Sequence, residues 1–258
     1  MNVLVCVKRV AQTGGSIVLT QDGQDIDTRY AAFTISPHEE CAVEEAVRIV
    51  EAGSGTTAVL TLGPEAAADQ LRDAMALGIQ RAILLETDGR EWDPVATAAA
   101  IVSAVAAERG AGFEYDLLLF GNEAADTGDF QVPVRVATAL GLPCVTGVKA
   151  LAVDGGGATA SVDADDGWDV FEVPLPAVVS VREGLNLPRY PSVPGRLRAK
   201  KREIVRYPAA PCPTCAAGPT KVRLHLPREQ DSSVEILGHG PEAAPAVVAL
   251  LARLGVLS

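Results

Sequence analysis

Residues Asn2–Val7, NVLVCV, carry an apolar run rich in valine that is unbroken from Val3 to Val7. A strand with one wet face alternates apolar and polar side chains. An unbroken run is instead the pattern of a strand buried on both faces, as in a parallel sheet covered by helices. A polar, Gly-containing stretch follows, and then Ser36-Pro37-His38-Glu39. That tetrapeptide reads as a helix start: Ser36 as N-cap, Pro37 at N1, and Glu39 closing a capping box on Ser36, a cap of the kind worth about 1 kcal/mol. The spacing predicts an amphipathic helix over 37–51, with Cys41, Val43, Ala46, Val47 and Val50 on one side.

The same rhythm continues. A strand over 57–61 ends at Leu62-Gly63-Pro64, and a helix over 65–77 leads to a strand over 81–85. An Ala-rich helix over 94–109 precedes a strand over 115–120, which ends at Gly121-Asn122-Glu123. A helix from about Gln131 to Leu140 then leads into the strand-like CVTGV. Alternating strands and helices predict a doubly wound α/β fold, mostly parallel, with helices on both faces of the sheet. From Leu151 the texture changes to short strands and turns that complete or decorate this sheet. After Tyr207 come a small-residue linker, AAPCPTCAAGP, a strand KVRLHL and a last helix over 243–254. The expected division is an α/β domain over 1–207 and a linker with a C-terminal arm over 208–258.

The chain has 258 residues and a formal net charge of −11, and few aromatics, so its core should be built from Ala, Val and Leu. A pI near 4.8 argues against nucleic acid as the main partner, because that affinity rests on neutralising phosphates. The apolar runs fall well short of the roughly 18 residues of a membrane span. The start of the chain lacks the layout of a signal peptide. Five cysteines is an odd number, and Cys6 and Cys144 fall in apolar runs, which suits a reduced, cytoplasmic setting. Cys212 and Cys215 have redox or metal spacing, but one pair without a neighbouring His cannot assemble four zinc ligands, and no metal site is expected.

Doubly wound sheets bind ligands beyond their strand C-termini, where the strand order reverses. The candidate loops are Val7-Lys8-Arg9, Leu62-Gly63-Pro64 and the stretch 121–129. Gly121 allows close backbone approach and Ala124 is small enough not to obstruct a ligand. Asp126 can accept from ribose hydroxyls, while the N–H groups of residues 127–132, opening a helix, can hold a phosphate. Asp129 would repel that phosphate unless its side chain caps the helix instead, and Pro133 removes a donor at little cost near a helix start. A plain helix cap without nucleotide is the competing reading of these loops.

The segment 186–201, NLPRYPSVPGRLRAKK, stands apart from its acidic surroundings. Pro188, Pro191 and Pro194 stiffen an irregular stretch. Val193 sits there with no regular element to bury it, beside a short helix-competent basic run. A docking device for a partner and a solvated linker both fit this pattern.

In order along nearly the whole chain, six pieces resemble the β subunit of electron transfer flavoproteins. They are VLVCVKRV; SPHEECAVEEAVRI, close to NP-x-x-E-x-A-VEEA-x-R; LGPEAAADQLRDAMALGIQRAI; DLLLFGNEAADTGDFQ, close to DL-V-L-x-G-x-Q-A-x-D…Q; LPAVVSV; and NLPRYPSVPGRLRAKK, close to N-x-PRY…P…AKKK. The resemblance implies an electron carrier subunit without catalysis of its own. It would pair with an α subunit that holds most of the FAD at their interface, with the C-terminal arm wrapping that subunit. The heterodimer would carry electrons from dehydrogenases, such as acyl-CoA dehydrogenases, to a membrane-bound acceptor oxidoreductase. The resemblance also implies structural AMP at Cys6, Ser36, Pro37, Leu62, Gly63, Gly121, Ala124, Asp126, Thr127, Gln131 and Val132. It places His38 towards the flavin, and partner docking at Pro191, Val193, Pro194, Arg196, Arg198, Lys200 and Lys201, the segment 184–203. Pro64 and Glu40 match as well, whereas Ser36, Gln12 and Val132-Pro133 replace the family's usual Asn, Asp and Thr/Val-Gly. The alternatives are a flavin-bifurcating β subunit with its own FAD, which Asp129 disfavours, and a free-standing AMP- or ATP-binding regulatory domain.

Overall fold

The opening run forms β1 (Asn2–Val7), buried from Val3 onward, in a computed structural model that describes residues 1–12, 17–209, 221–226 and 235–257. The chain divides into two units, Met1–Arg223 and Leu224–Ser258. In the first, β2 (Val10–Ala11) and β3 (Phe33–Thr34) form a small antiparallel pair, and α1 (Pro37–Ala52) follows. Ser36 caps α1 with the expected reciprocal box: its Oγ accepts from the Glu39 N–H, and the Glu39 carboxylate accepts from the Ser36 N–H. Then come β4 (Thr56–Gly63), a 3₁₀ turn over Glu65–Ala67, α2 (Ala68–Leu77), β5 (Arg81–Glu86), α3 (Pro94–Gly110), β6 (Leu117–Gly121) and α4 (Val132–Leu140). The second half adds β7 (Cys144–Val153), β8 (Ala158–Ala164), β9 (Gly167–Val173), β10 (Ala177–Val181), α5 (Val193–Lys201) and β11 (Val205–Pro208).

The other nine described strands join in one sheet of order β11-β5-β4-β1-β6-β10-β7-β8-β9. It is parallel from β11 to β7, and β8 and β9 extend it antiparallel. Succession from β1 runs through β4 to β5 on one side, then α3 carries the chain back to β6 on the other side of β1. The strand order therefore reverses between β1 and β6. Alternate side chains of β1 serve two cores. Val3, Val5 and Val7 pack with α1 and α2, while Leu4 and Cys6 pack with α3 and α4. The fold is the doubly wound α/β sheet expected from the strand and helix alternation.

Some details differ from expectation. Residues 221–226 read as a strand but form no regular element, because an alternating apolar pattern makes a strand only where a neighbour offers a ladder. β11 gives little sequence signal, being a short, half-exposed edge strand that ends at Pro208. The irregular proline stretch is shorter than expected, since α5 starts at Val193. Ser192 Oγ accepts from the Gly195 N–H at 3.1 Å as N-cap, and Pro194 lies in the first turn. There a proline is pre-organised for a helix rather than breaking it.

In the second unit a 3₁₀ turn over Gly240–Ala243 leads to α6 (Ala244–Arg253), where the sequence placed the last helix. Its side chains are not buried, and Val247 and Val248 stand exposed. Cys212 and Cys215 lie outside the described residues.

Candidate ligand pocket and partner loop

β1, β4 and β6 end side by side at the reversal, and the loops leaving them enclose a cavity of about 380 Å³. All three loops singled out in the sequence reach it: Lys8 and Arg9 after β1, Leu62, Gly63 and Pro64 after β4, and the segment from Gly121 after β6. Cys6, Ala124, Asp126, Thr127, Gln131 and Val132 line it too. Ser36 and Pro37 do not. Ser36 is fully buried behind the wall, where its Oγ donates to the Glu123 carbonyl at 3.2 Å and fixes the loop that does line the cavity. Pro37 is exposed on the first turn of α1.

Gly121 serves a different neighbour from the one expected. A Cβ on it would stand 2.7 Å from Glu39 Cγ and 3.1 Å from Glu39 N. Its bareness lets the first turn of α1 close against β6, and so makes Glu39 part of the pocket wall. The Glu39 carboxylate accepts from the Lys8 N–H and the Ser36 N–H, both at 2.8 Å. Burial pushes Glu39 up to about 7, against the pull of those N–H groups and of the Lys8 charge. Burial also raises the Cys6 thiol, with the Glu39 charge adding to it, so Cys6 is an inert small side chain in the floor.

Two cations define the interior. Lys8 Nζ lies 2.8 Å from Asp126 Oδ1 and 3.5 Å from Thr127 Oγ1. The Arg9 guanidinium stacks 3.2 Å above the centre of the Phe33 ring. Among the described residues its buried Nε has no hydrogen-bond partner. Burial lowers the Arg9 pKa, and Asp69 works in the opposite sense.

The start of α4 faces this space uncapped. Gln131, at the N-cap, accepts from the Arg135 guanidinium through its side-chain oxygen at 3.1 and 2.8 Å, and among the described residues no side chain caps the first turn. Asp129 therefore does not take the capping role that would have moved its charge away. The loop turns sharply through Gly128 and Phe130, both left-handed at φ +57° and +56°. Phe130 is a non-glycine in that region, a conformation that the surrounding structure must hold in place. The mouth carries charges of both signs, with Asp25, Glu91 and Asp129 beside Arg90 on its lining.

His38 stands beside the pocket loop. Its Nδ1 accepts from the Glu183 N–H at 2.7 Å, which leaves the proton on Nε2, 3.4 Å from Glu123 Oε1. A backbone donor thus fixes the tautomer and a carboxylate fixes the ring.

The partner segment forms a second surface. Arg189 binds Glu44 at 2.8 and 3.0 Å and Glu51 at 2.8 and 2.9 Å, and Asn186 Nδ2 donates to Cys41 O and Glu45. These bonds clamp the irregular stretch to α1. Gly195 packs on α2 so closely that a Cβ would fall 2.4 Å from Ala76 O, and Arg72 donates to the Ala199 carbonyl at 3.1 Å. On this fixed base Val193 is 72% exposed. Leu187 and Tyr190, which are not among the residues expected to dock, are 89% and 96% exposed. Pro194, Arg196, Arg198, Lys200 and Lys201 are exposed as well, and Pro191 is half-buried. Bulky apolar residues interleaved with prolines were the available signal for Leu187 and Tyr190.

A family model described as an electron transfer flavoprotein domain matches residues 25–211. The chain is 38% identical over 240 residues to an electron transfer flavoprotein subunit beta of Syntrophomonas wolfei, covering 92% of this chain and 90% of that one. It is 37% identical over 206 residues to the protein of the same name in Bacillus subtilis, covering 79% and 77%. With that of Mycobacterium leprae it shares 36% over 209 residues, again 79% and 77%.

Proposed function

The chain belongs to the electron transfer flavoprotein family as a β subunit, and on that premise we propose that it pairs with an α subunit to pass electrons from dehydrogenases, acyl-CoA dehydrogenases among them, to a membrane-bound acceptor oxidoreductase. It works in the cytoplasm and catalyses nothing alone. FAD, held mainly by the α subunit at the interface, supplies the capacity to take up and release electrons. This chain covers it, with His38 turned towards the flavin. The C-terminal arm, 208–258, wraps the α subunit, which gives the uncovered apolar side chains of α6 a surface to meet.

The cavity at the strand reversal holds AMP. The observation that carries this is the uncapped start of α4 opening into a pocket whose size lies at the low end of the roughly 300–1,000 Å³ of ligand sites. Free N–H groups at a helix start suit a phosphate, and the buried Arg9 Nε awaits an acceptor. Lys8 turns from Asp126 to the phosphate, and Asp126 is then free to accept from ribose hydroxyls. Asp129 on the lining, which no cation pairs among the described residues, makes a second phosphate costly, which ranks a second FAD below AMP.

Leu187, Tyr190 and Val193 supply an apolar anchor for the dehydrogenase, while Arg196, Arg198, Lys200 and Lys201 steer the encounter. Co-expression with an electron transfer flavoprotein α subunit tests the assignment. The expected product is a yellow 1:1 complex, and the chain expressed alone should self-associate. A stable monomer that ignores the α subunit in a pull-down would contradict it.

A further inference from the structure

The pocket mouth has two lips from distant parts of the chain. One is the turn closed by the antiparallel bridge Leu19–Ile26, which contributes Asp25, Ile26 and Thr28. The other is the β5–α3 loop, with Arg90, Glu91 and Trp92. Among the described residues no hydrogen bond or ion pair joins these lips directly. The link is made by residues 221 and 222. Lys221 Nζ pairs with Glu91 Oε2 and lies 3.9 Å from Asp25 Oδ1, and Gln24 Nε2 donates to the Val222 carbonyl at 2.8 Å.

We propose that Lys221 is a clasp over the pocket mouth and sets how fast a ligand passes. Its ammonium stands between one carboxylate on each lip, so the lips part only when it lets go. Burial pulls the ammonium's pKa down, but Glu91, Asp25 and Asp126 together hold it above the ordinary value. The cation therefore stays charged wherever the protein is folded near neutral pH. This also accounts for residues 221–226 lacking strand structure, since their first two residues bridge two loops instead of joining a ladder. With Lys221 29%, Glu91 42% and Asp25 70% exposed, the clasp is weak and salt-sensitive. A gate of that strength changes rates rather than closing the site.

The ligand, an adenine nucleotide, rests on the function proposed above, so the test has an arm that needs no nucleotide. In the co-expressed heterodimer, hydrogen exchange is followed over residues 17–32 in the wild type, Lys221→Met and Glu91→Gln. Each variant should exchange about two- to fivefold faster at low salt, and the difference should vanish at high salt. In parallel, stopped-flow fluorescence follows entry and release of 1,N6-etheno-AMP. A clasp accelerates both rates by a similar factor in both variants, and the double variant adds nothing further. If instead Lys221→Met speeds release without speeding entry and Glu91→Gln does nothing, Lys221 is a ligand contact and the clasp is wrong. If the wild type takes up no etheno-AMP, the nucleotide reading falls and the exchange arm alone judges the clasp. Unchanged exchange in both variants overturns it.

Discussion

Glu39 closes the capping box of α1, holds the backbone where the chain leaves β1, and fills the space left open by Gly121. Its carboxyl keeps a proton in the folded protein up to about pH 7, whereas its ordinary value is 4.5. Its contribution to stability is therefore fully present below 4.5 and lost as pH rises through about 7. Urea unfolding of wild type and Glu39→Gln between pH 4 and pH 9 should show the wild type losing about 1–3 kcal/mol relative to the variant. Parallel pH profiles would show that Glu39 titrates alike in both states. Gly121→Ala drives a Cβ to 2.7 Å from Glu39 Cγ and 3.1 Å from Glu39 N, and the backbone atom cannot swing away. It should cost about 1–3 kcal/mol as overpacking, read as a lower urea midpoint at unchanged slope. Asp126→Ala should weaken nucleotide retention by about 1 kcal/mol, the loss of one hydrogen bond partly offset by a freed Lys8.

The loop clamped by Arg189 and the helix α5 behind it present the exposed anchor as a rigid piece. Val193→Ala should lose only part of the roughly 1.5–3 kcal/mol of a buried apolar side chain, and Val193→Asp most of the docking. Charge reversal at Arg196, Arg198 or Lys200 should slow association, with an effect that fades as salt rises. Stopped-flow electron transfer from a cognate dehydrogenase at two salt concentrations separates these roles. A wild-type rate for Val193→Asp in both would make the loop a mere linker. Much of this architecture is legible in the sequence because its signals are local: β1 as an unbroken apolar run, and α1 as a cap with its glutamate three residues on. The start of α5 is misread because Pro194 looks like a breaker until Ser192 is seen capping the turn. β11 and the failed strand at 221–226 depend on whether a neighbouring strand is present, which no local pattern encodes. For the same reason the loops of the pocket are legible while Glu39 as its wall and Lys221 as its clasp are not. Both follow from the register of α1 on the sheet and from a contact between distant segments.

Taken whole, the chain has a sheet with buried central strands and an exposed edge strand β9, a pocket at its reversal point, an exposed apolar anchor beside cations on an acidic body, and a helix in its second unit with an uncovered apolar face. On the proposed reading the pocket, the basic loop and the arm each have a task, and the basic loop and the arm would have none in a free-standing nucleotide-binding domain. The central claim is that the subunit's own pocket carries a nucleotide distinct from the flavin it shares with its partner. Gentle purification of the heterodimer, denaturation, and chromatographic quantitation of the released ligands test it most directly. The account predicts a single FAD and a single AMP per heterodimer. Two FAD per heterodimer, or FAD with no adenine nucleotide beside it, would contradict it.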